Sequence, residues 1–175
     1  MKQQQALFLV IRYFLLIILA LGNLYLIYLI FTPLTVYPVY FLLSLFFNTA
    51  ISSNIITLEN ISIELIPACI AGAAYYLLFI LNLLTHMKIK TRIYSLLFIT
   101  LSFLALNILR IFIFSILALN GSKYFEVTHM FFWYIGSTII LVLVWFVNII
   151  IFKIKEIPFY TDMKSLIKDV KNHTY

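Results

Sequence analysis

Residues 93–119, IYSLLFITLSFLALNILRIFIFSILAL, hold one charged side chain, Arg110, in a run long enough to cross about 30 Å of hydrocarbon as a helix. Comparable runs recur at 6–31, 34–51, 66–84 and 129–152. With 65% hydrophobic and 10% charged residues, the chain lies far from a soluble domain. The apolar runs are too many to be one cleaved signal peptide, and the first lacks a small-residue cleavage site. The expectation is an all-α integral membrane protein, a polytopic bundle of about five transmembrane helices in a multi-pass cell-membrane setting.

Loop charges set the orientation. The segment 85–92, THMKIKTR, holds three of the twelve basic residues and is predicted cytoplasmic by the positive-inside rule. Span 93–119 then runs outward, 120–128 is an external loop, and 129–152 returns to a cytoplasmic basic tail. In that tail, residues 163, 166, 167 and 170 give TDMKSLIKDVK an apolar face suited to the inner leaflet. The domain division is one transmembrane catalytic unit, 1–155, and a basic amphipathic tail, 156–175. The net charge of +6 follows from these flanking clusters and does not imply nucleic-acid binding.

Two prolines in 32–38 are expected to end the first span, making 34–51 either a second span or a re-entrant segment. Five spans with the C-terminus inside put the N-terminus outside; Lys2 and Arg12 argue against this, and re-entry of 34–51 removes the conflict. Arg12 itself reads as a snorkelling interface anchor. Residues 52–65, SSNIITLENISIEL, change to polar and β-branched residues about Glu59 and Asn60 and predict a short external hairpin between spans 2 and 3.

The single cysteine rules out an internal disulfide and any CxxC site. Pro67 suits the first turn of the third helix, and Cys69 follows two residues later, where the partial positive charge of a helix start would face its sulfur. The small residues Ala68, Ala71, Gly72, Ala73 and Ala74 leave room for close helix approach. Given the topology, Cys69, Arg110 and His129 come from three consecutive spans and fall at one depth near the outer face. An arginine in the apolar half of a span needs a partner in the bundle interior, which marks a candidate site. Asn107, one turn earlier, shares its face and is positioned to fix the guanidinium. Glu126, one turn before His129, is a candidate to orient the imidazole.

These residue types suit acyl transfer. A thiolate facing Arg110 attacks a carbonyl, Arg110 serves the developing charge, and His129 shuttles protons. A haem or metal shared by His86 and His129 fails, because they lie at opposite membrane faces; no cofactor or metal is expected. Each residue also has a bland reading: a packed cysteine, a structural arginine, an interfacial histidine. A transporter reading is weaker, since the polar cluster at the outer side has no evident counterpart at the inner side.

The stretches IELIPACIAGAAYYLL, LNILRIFIF and FEVTHMFFWYIGS resemble the signature blocks of the exosortase/archaeosortase family of membrane sorting enzymes. The tail KIKEIPFYTDMKSL is similar to that of small archaeal members, the pacearchaeosortases. The resemblance covers about 34–168. It implies Cys69 as nucleophile, Arg110 as its electrostatic partner and His129 as the third catalytic position. It further implies exported proteins with a C-terminal sorting signal (motif, apolar span, basic cluster) as substrates, and a lipid or other surface anchor as acceptor. The sequence ACIAG departs from the ACSG of many bacterial members, and the chain lacks the extra N-terminal spans of larger ones. The alternative from another class is a non-catalytic membrane assembly or sorting-signal receptor subunit.

Overall fold

The computed structural model describes residues 11, 14, 17–18, 24–59, 61–85, 87–121 and 125–154. Arg12, His86 and the expected tail helix lie outside the described residues. The chain is mostly helical. It runs α1 (Tyr25–Ser44), β1 (Thr49–Ser52), β2 (Ile55–Leu58), β3 (Ile61–Glu64), α2 (Pro67–Ile70), α3 (Gly72–Leu84), α4 (Ile89–Leu119), α5 (Phe125–Phe131), a wide π turn (Phe132–Gly136) and α6 (Ser137–Phe152).

Among the described residues, three helical stretches are long and apolar enough to cross a membrane: Tyr25–Ser44, Pro67–Leu84 and Ile89–Leu119. Ser137–Phe152 is apolar but shorter. The expected first two spans are not divided where the prolines suggested. α1 runs through both Pro33 and Pro38 and begins after Leu24, whose φ is 60°. Its buried residues Ile27, Phe31, Thr35, Val39 and Leu43 recur every four positions straight through both prolines. Pro33 lies on the exposed side. Packing along a continuous stripe therefore overrides the two lost amide donors, as in apolar surroundings where neighbours hold a helix together.

The predicted hairpin is instead a three-stranded antiparallel meander in the order β1-β2-β3, and it starts at Thr49, inside what was expected to be an apolar span. The register pairs Ile51 with Ile56 and Ile56 with Ile63. Alternation thus puts Ile51, Ile56, Leu58, Ile61 and Ile63 on one face. Ile56 and Leu58 are fully buried there.

α4 organises the bundle. Its buried residues are Ser95, Ile99, Phe103, Asn107, Ile111 and Ser115, again every fourth position. α3 runs antiparallel to it, with Asn82 meeting Ser95, Tyr75 meeting Phe103, and Cys69 meeting Asn107. α6 is antiparallel to α4 as well, through Ser95 with Asn148 and Arg110 with Ser137. At the centre Tyr75 stacks on Phe31 at 3.8 Å and meets Phe103 edge-on at 4.8 Å. Gly72 permits this approach, since a Cβ there would sit 2.7 Å from the Tyr28 ring. The core is mostly apolar, yet large apolar side chains also cover the outside of the bundle. Asn82, Ser95 and Asn148 are fully buried, while Leu29, Phe41, Ile93, Leu97, Leu143, Phe146 and Ile150 are exposed.

Candidate functional site

Pro67 occupies the first position of α2, as its missing amide favours. The helix that follows is not the long one expected. α2 is a single turn, and Ala71 breaks it with φ 59° and ψ 42°, the left-handed region that alanine adopts only at a cost. Cys69 therefore lies in an isolated turn ahead of α3, and the dipole of the long helix begins after it.

The break frees main-chain acceptors that a continuous helix would pair with amides four residues on. Two side chains of α4 take them. Asn107 Nδ2 donates to Cys69 O at 3.0 Å and to Ile70 O at 3.5 Å. Arg110 Nη2 donates to Cys69 O at 3.2 Å. The expected contact between Asn107 and the guanidinium is not made. Asn107 Oδ1, the atom able to accept from it, is buried without a hydrogen-bond partner.

Arg110 also donates through Nη1 to Ser137 Oγ at 2.6 Å. No described carboxylate is within hydrogen-bonding distance of it. The titratable groups that feel its charge are the Cys69 thiol and the Tyr75 hydroxyl. Ser137 was not singled out from the sequence. It stands where the π turn closes, its N–H and its Oγ both donating to Phe132 O, the latter at 3.1 Å. Eight residues separate His129 from Ser137, which in a regular helix leaves them about 80° apart around the axis. Absorbing one residue in a wide turn cuts this to about 20°. The π turn thereby aligns the histidine of α5 with the serine that holds Arg110. Gly136 is required inside it, because a Cβ there would fall 2.4 Å from Phe132 Cδ1.

Cys69, Arg110, His129 and Ser137 all line one cleft of about 760 Å³, walled by β3 and Leu65 to Ala68 on one side and by Ile111, Phe114 and Ser115 of α4 on the other. His129 is half-buried and meets the Phe114 ring edge-on at 5.6 Å. Glu126 belongs to α5, one turn before His129, but its side chain lies outside the described part of the structure. Cys69 is a half-buried free thiol. The volume suits a small ligand or a short peptide segment.

At the other end of the bundle is a second polar cluster. Asn82 Nδ2 donates to Ser95 Oγ at 2.7 Å, and Ser95 Oγ donates to Asn148 Oδ1 at 2.8 Å. Arg92 donates to the carbonyls of Asn82, Leu83 and Thr85 at 3.2, 2.7 and 2.9 Å, satisfying the end of α3. The sequence reading had only the first cluster, so this one corrects it. Tyr75, Leu78, Ile99 and Phe103, at most 1% exposed, lie between the two ends. Among the described residues no group of His, Cys, Asp and Glu gathers that is able to hold a metal ion. No protein-family model, curated protein or solved structure matches the chain.

Proposed function

We propose that the chain is a membrane-embedded cysteine peptidase or transpeptidase that processes C-terminal sorting signals of exported proteins, with its catalytic cleft on the outer face. The observation that carries this reading is the shared cleft: the one thiol, a half-buried arginine without a described carboxylate partner, and a histidine face the same 760 Å³ space. The apolar exterior of the bundle supports membrane embedding, and the sheet, whose open strand edge lipid would not tolerate, supports placing this end outside the bilayer.

In this reading Cys69 Sγ passes its proton to His129 and attacks the carbonyl carbon of the scissile peptide bond, and the electron pair moves to the carbonyl oxygen. Collapse breaks the C–N bond, and the amine leaves with a proton from His129, giving a thioester on Cys69. An acceptor nucleophile, lipid-borne or other, then attacks the thioester. Its proton passes to His129, the sulfur leaves, and that proton returns to Cys69. Arg110 places positive charge beside the sulfur and, with Asn107, fixes the main chain that carries it.

The test is co-expression with an exported reporter from the same proteome that ends in a short motif, an apolar span and basic residues. Wild type shortens the reporter by the mass beyond the motif, and hydroxylamine releases a captured acyl group. Folded Cys69→Ala and Cys69→Ser do neither. Equal processing by Cys69→Ala overturns the proposal. One observation favours the second reading, a non-catalytic assembly or sorting-signal receptor subunit: the described bonds of Arg110 and Asn107 go to two main-chain carbonyls and a serine, contacts that would hold helices together without chemistry. That reading predicts that Cys69 variants keep full function while Arg110→Leu unfolds the protein.

A further inference from the structure

β3 borders the cleft along its whole length, and its ladder leaves two residues with main-chain groups to spare. Leu65 N–H donates to Asn54 O at 2.9 Å, extending the pairing in which Ile55 faces Glu64 and Thr57 faces Ser62. Antiparallel ladders alternate bonded with non-bonded pairs. With 54 and 65 bonded, Ile56 with Ile63 and Leu58 with Ile61 are the bonded pairs, and Ser62 and Glu64 fall at non-bonded positions. The 3.4 Å approach of Thr57 Oγ1 and Ser62 Oγ fits such a close pair. The N–H and C=O of Ser62 and Glu64 therefore point away from β2, toward an edge that no other described strand pairs.

That edge is the one at the cleft; β1, at the other side of the sheet, lies beside α1. Beyond Glu64 the chain stays extended through Ile66, at φ −71° and ψ 163°, and enters α2 with no loop before Cys69. A strand laid along β3 is thus led to the thiol. An unpaired edge of this kind is a template for another chain, and natural sheets usually blunt it with lysine, proline or a bulge. Here the four residues are Ile61, Ser62, Ile63 and Glu64, with two isoleucines half-buried on one face and the exposed serine and carboxylate on the other. The charge favours a polar or cationic side chain beside Glu64, and the isoleucine face favours an apolar one on the alternate position.

We infer that β3 is a docking strand for an extended peptide, which adds parallel to it through main-chain hydrogen bonds to Ser62 and Glu64 and so brings its scissile carbonyl to Cys69. The inference rests on the proposed peptidase reading for the direction of the peptide. β3 runs toward the apolar Pro67–Leu84 stretch, and a substrate whose motif precedes its own apolar span must run the same way.

The experiment measures binding of the exported reporter to Cys69→Ala protein, which separates docking from catalysis. Proline at Ser62 deletes an edge amide that the β2–β3 ladder does not use. Cys69→Ala/Ser62→Pro should bind the reporter about tenfold or more weakly than Cys69→Ala/Ser62→Ala, which keeps the amide. Equal affinity of the two, or no reporter binding by Cys69→Ala, overturns the inference. Tight binding that depends on the Ser62 amide, together with no processing by wild type, overturns the peptidase reading and leaves the docking strand standing. If Ser62→Pro does not fold, a cysteine at 62 in the Cys69→Ala background is disulfide-trapped against single cysteines along the reporter. Traps at every second reporter position support strand addition; a spacing of three to four, or none, overturns it.

Discussion

Each end of α4 presents an arginine and a neutral polar residue, to opposite outcomes. At one end Arg92 and Ser95, three positions apart, face the close of α3; at the other Asn107 and Arg110, also three apart, face the turn that begins it. Arg92 caps carbonyls, and the amides and hydroxyl beside it form a chain buried to 0% exposure. Arg110 binds one carbonyl and one serine and looks into an open cleft that also holds a thiol and a histidine. Burying a polar group therefore marks a site only where the structure leaves room for something else to bind. One end is closed and structural; the other is open, and on our proposal it is the working end.

Substitutions that touch only one end break this comparison most sharply. The largest effect expected is that of Cys69→Ala: processing of the reporter falls by roughly 10⁴ or more, as when a nucleophile is removed, with thermal unfolding in detergent little changed. Arg110→Met comes next, with a loss of about 10²–10³ in processing rate measured on folded protein. Arg92→Met should do the reverse. Losing its carbonyl bonds at the end of α3 lowers stability by about 2–4 kcal/mol, read by denaturant unfolding, while processing per folded molecule is retained. Equal activity losses for the two arginines would erase the distinction. Asn148→Leu, which strips the acceptor from Ser95, costs about 1–3 kcal/mol and leaves processing unchanged.

The smallest effect concerns the break before α3. Ala71 has a positive φ, so Ala71→Gly shifts stability by less than about 1 kcal/mol, relief of the left-handed strain being offset by a freer unfolded chain. Ala71→Val costs about 1–3 kcal/mol and, by straightening the turn, slows Cys69 labelling. If valine were tolerated as well as glycine, the break would not be what presents the thiol.

Much of the open end was legible in the sequence because its chemistry is rare in such a chain: one cysteine, one arginine deep in an apolar run, and a histidine at the start of the next. Pro67 at a helix start was legible for the same reason. Ser137 was not, since a serine eight residues past His129 lies off its face until the π turn absorbs one residue. The closed end escaped notice because asparagine and serine carry no rarity. Asn82, Ser95 and Asn148 gain meaning only when three helices bring them within 2.8 Å of one another's partners. The course of α1 was misread for a different cause. Two prolines are strong local punctuation, yet the four-residue stripe from Ile27 to Leu43 continues through them, and packing decided. β1 was missed because TAI reads as the end of an apolar run, and its alternation shows only once Ile51 pairs with Ile56.

The most direct test of the contrast uses the single cysteine itself. A membrane-impermeant maleimide is added from the sheet side to folded wild type and to Cys69→Ala/Ser95→Cys, which moves the thiol to the closed end. Our account predicts ready labelling at Cys69, slowed when Arg110 is replaced by glutamine, and no labelling of the cysteine at position 95 until the protein unfolds. A silent Cys69 in the folded protein, or equal labelling of the two positions, would contradict it.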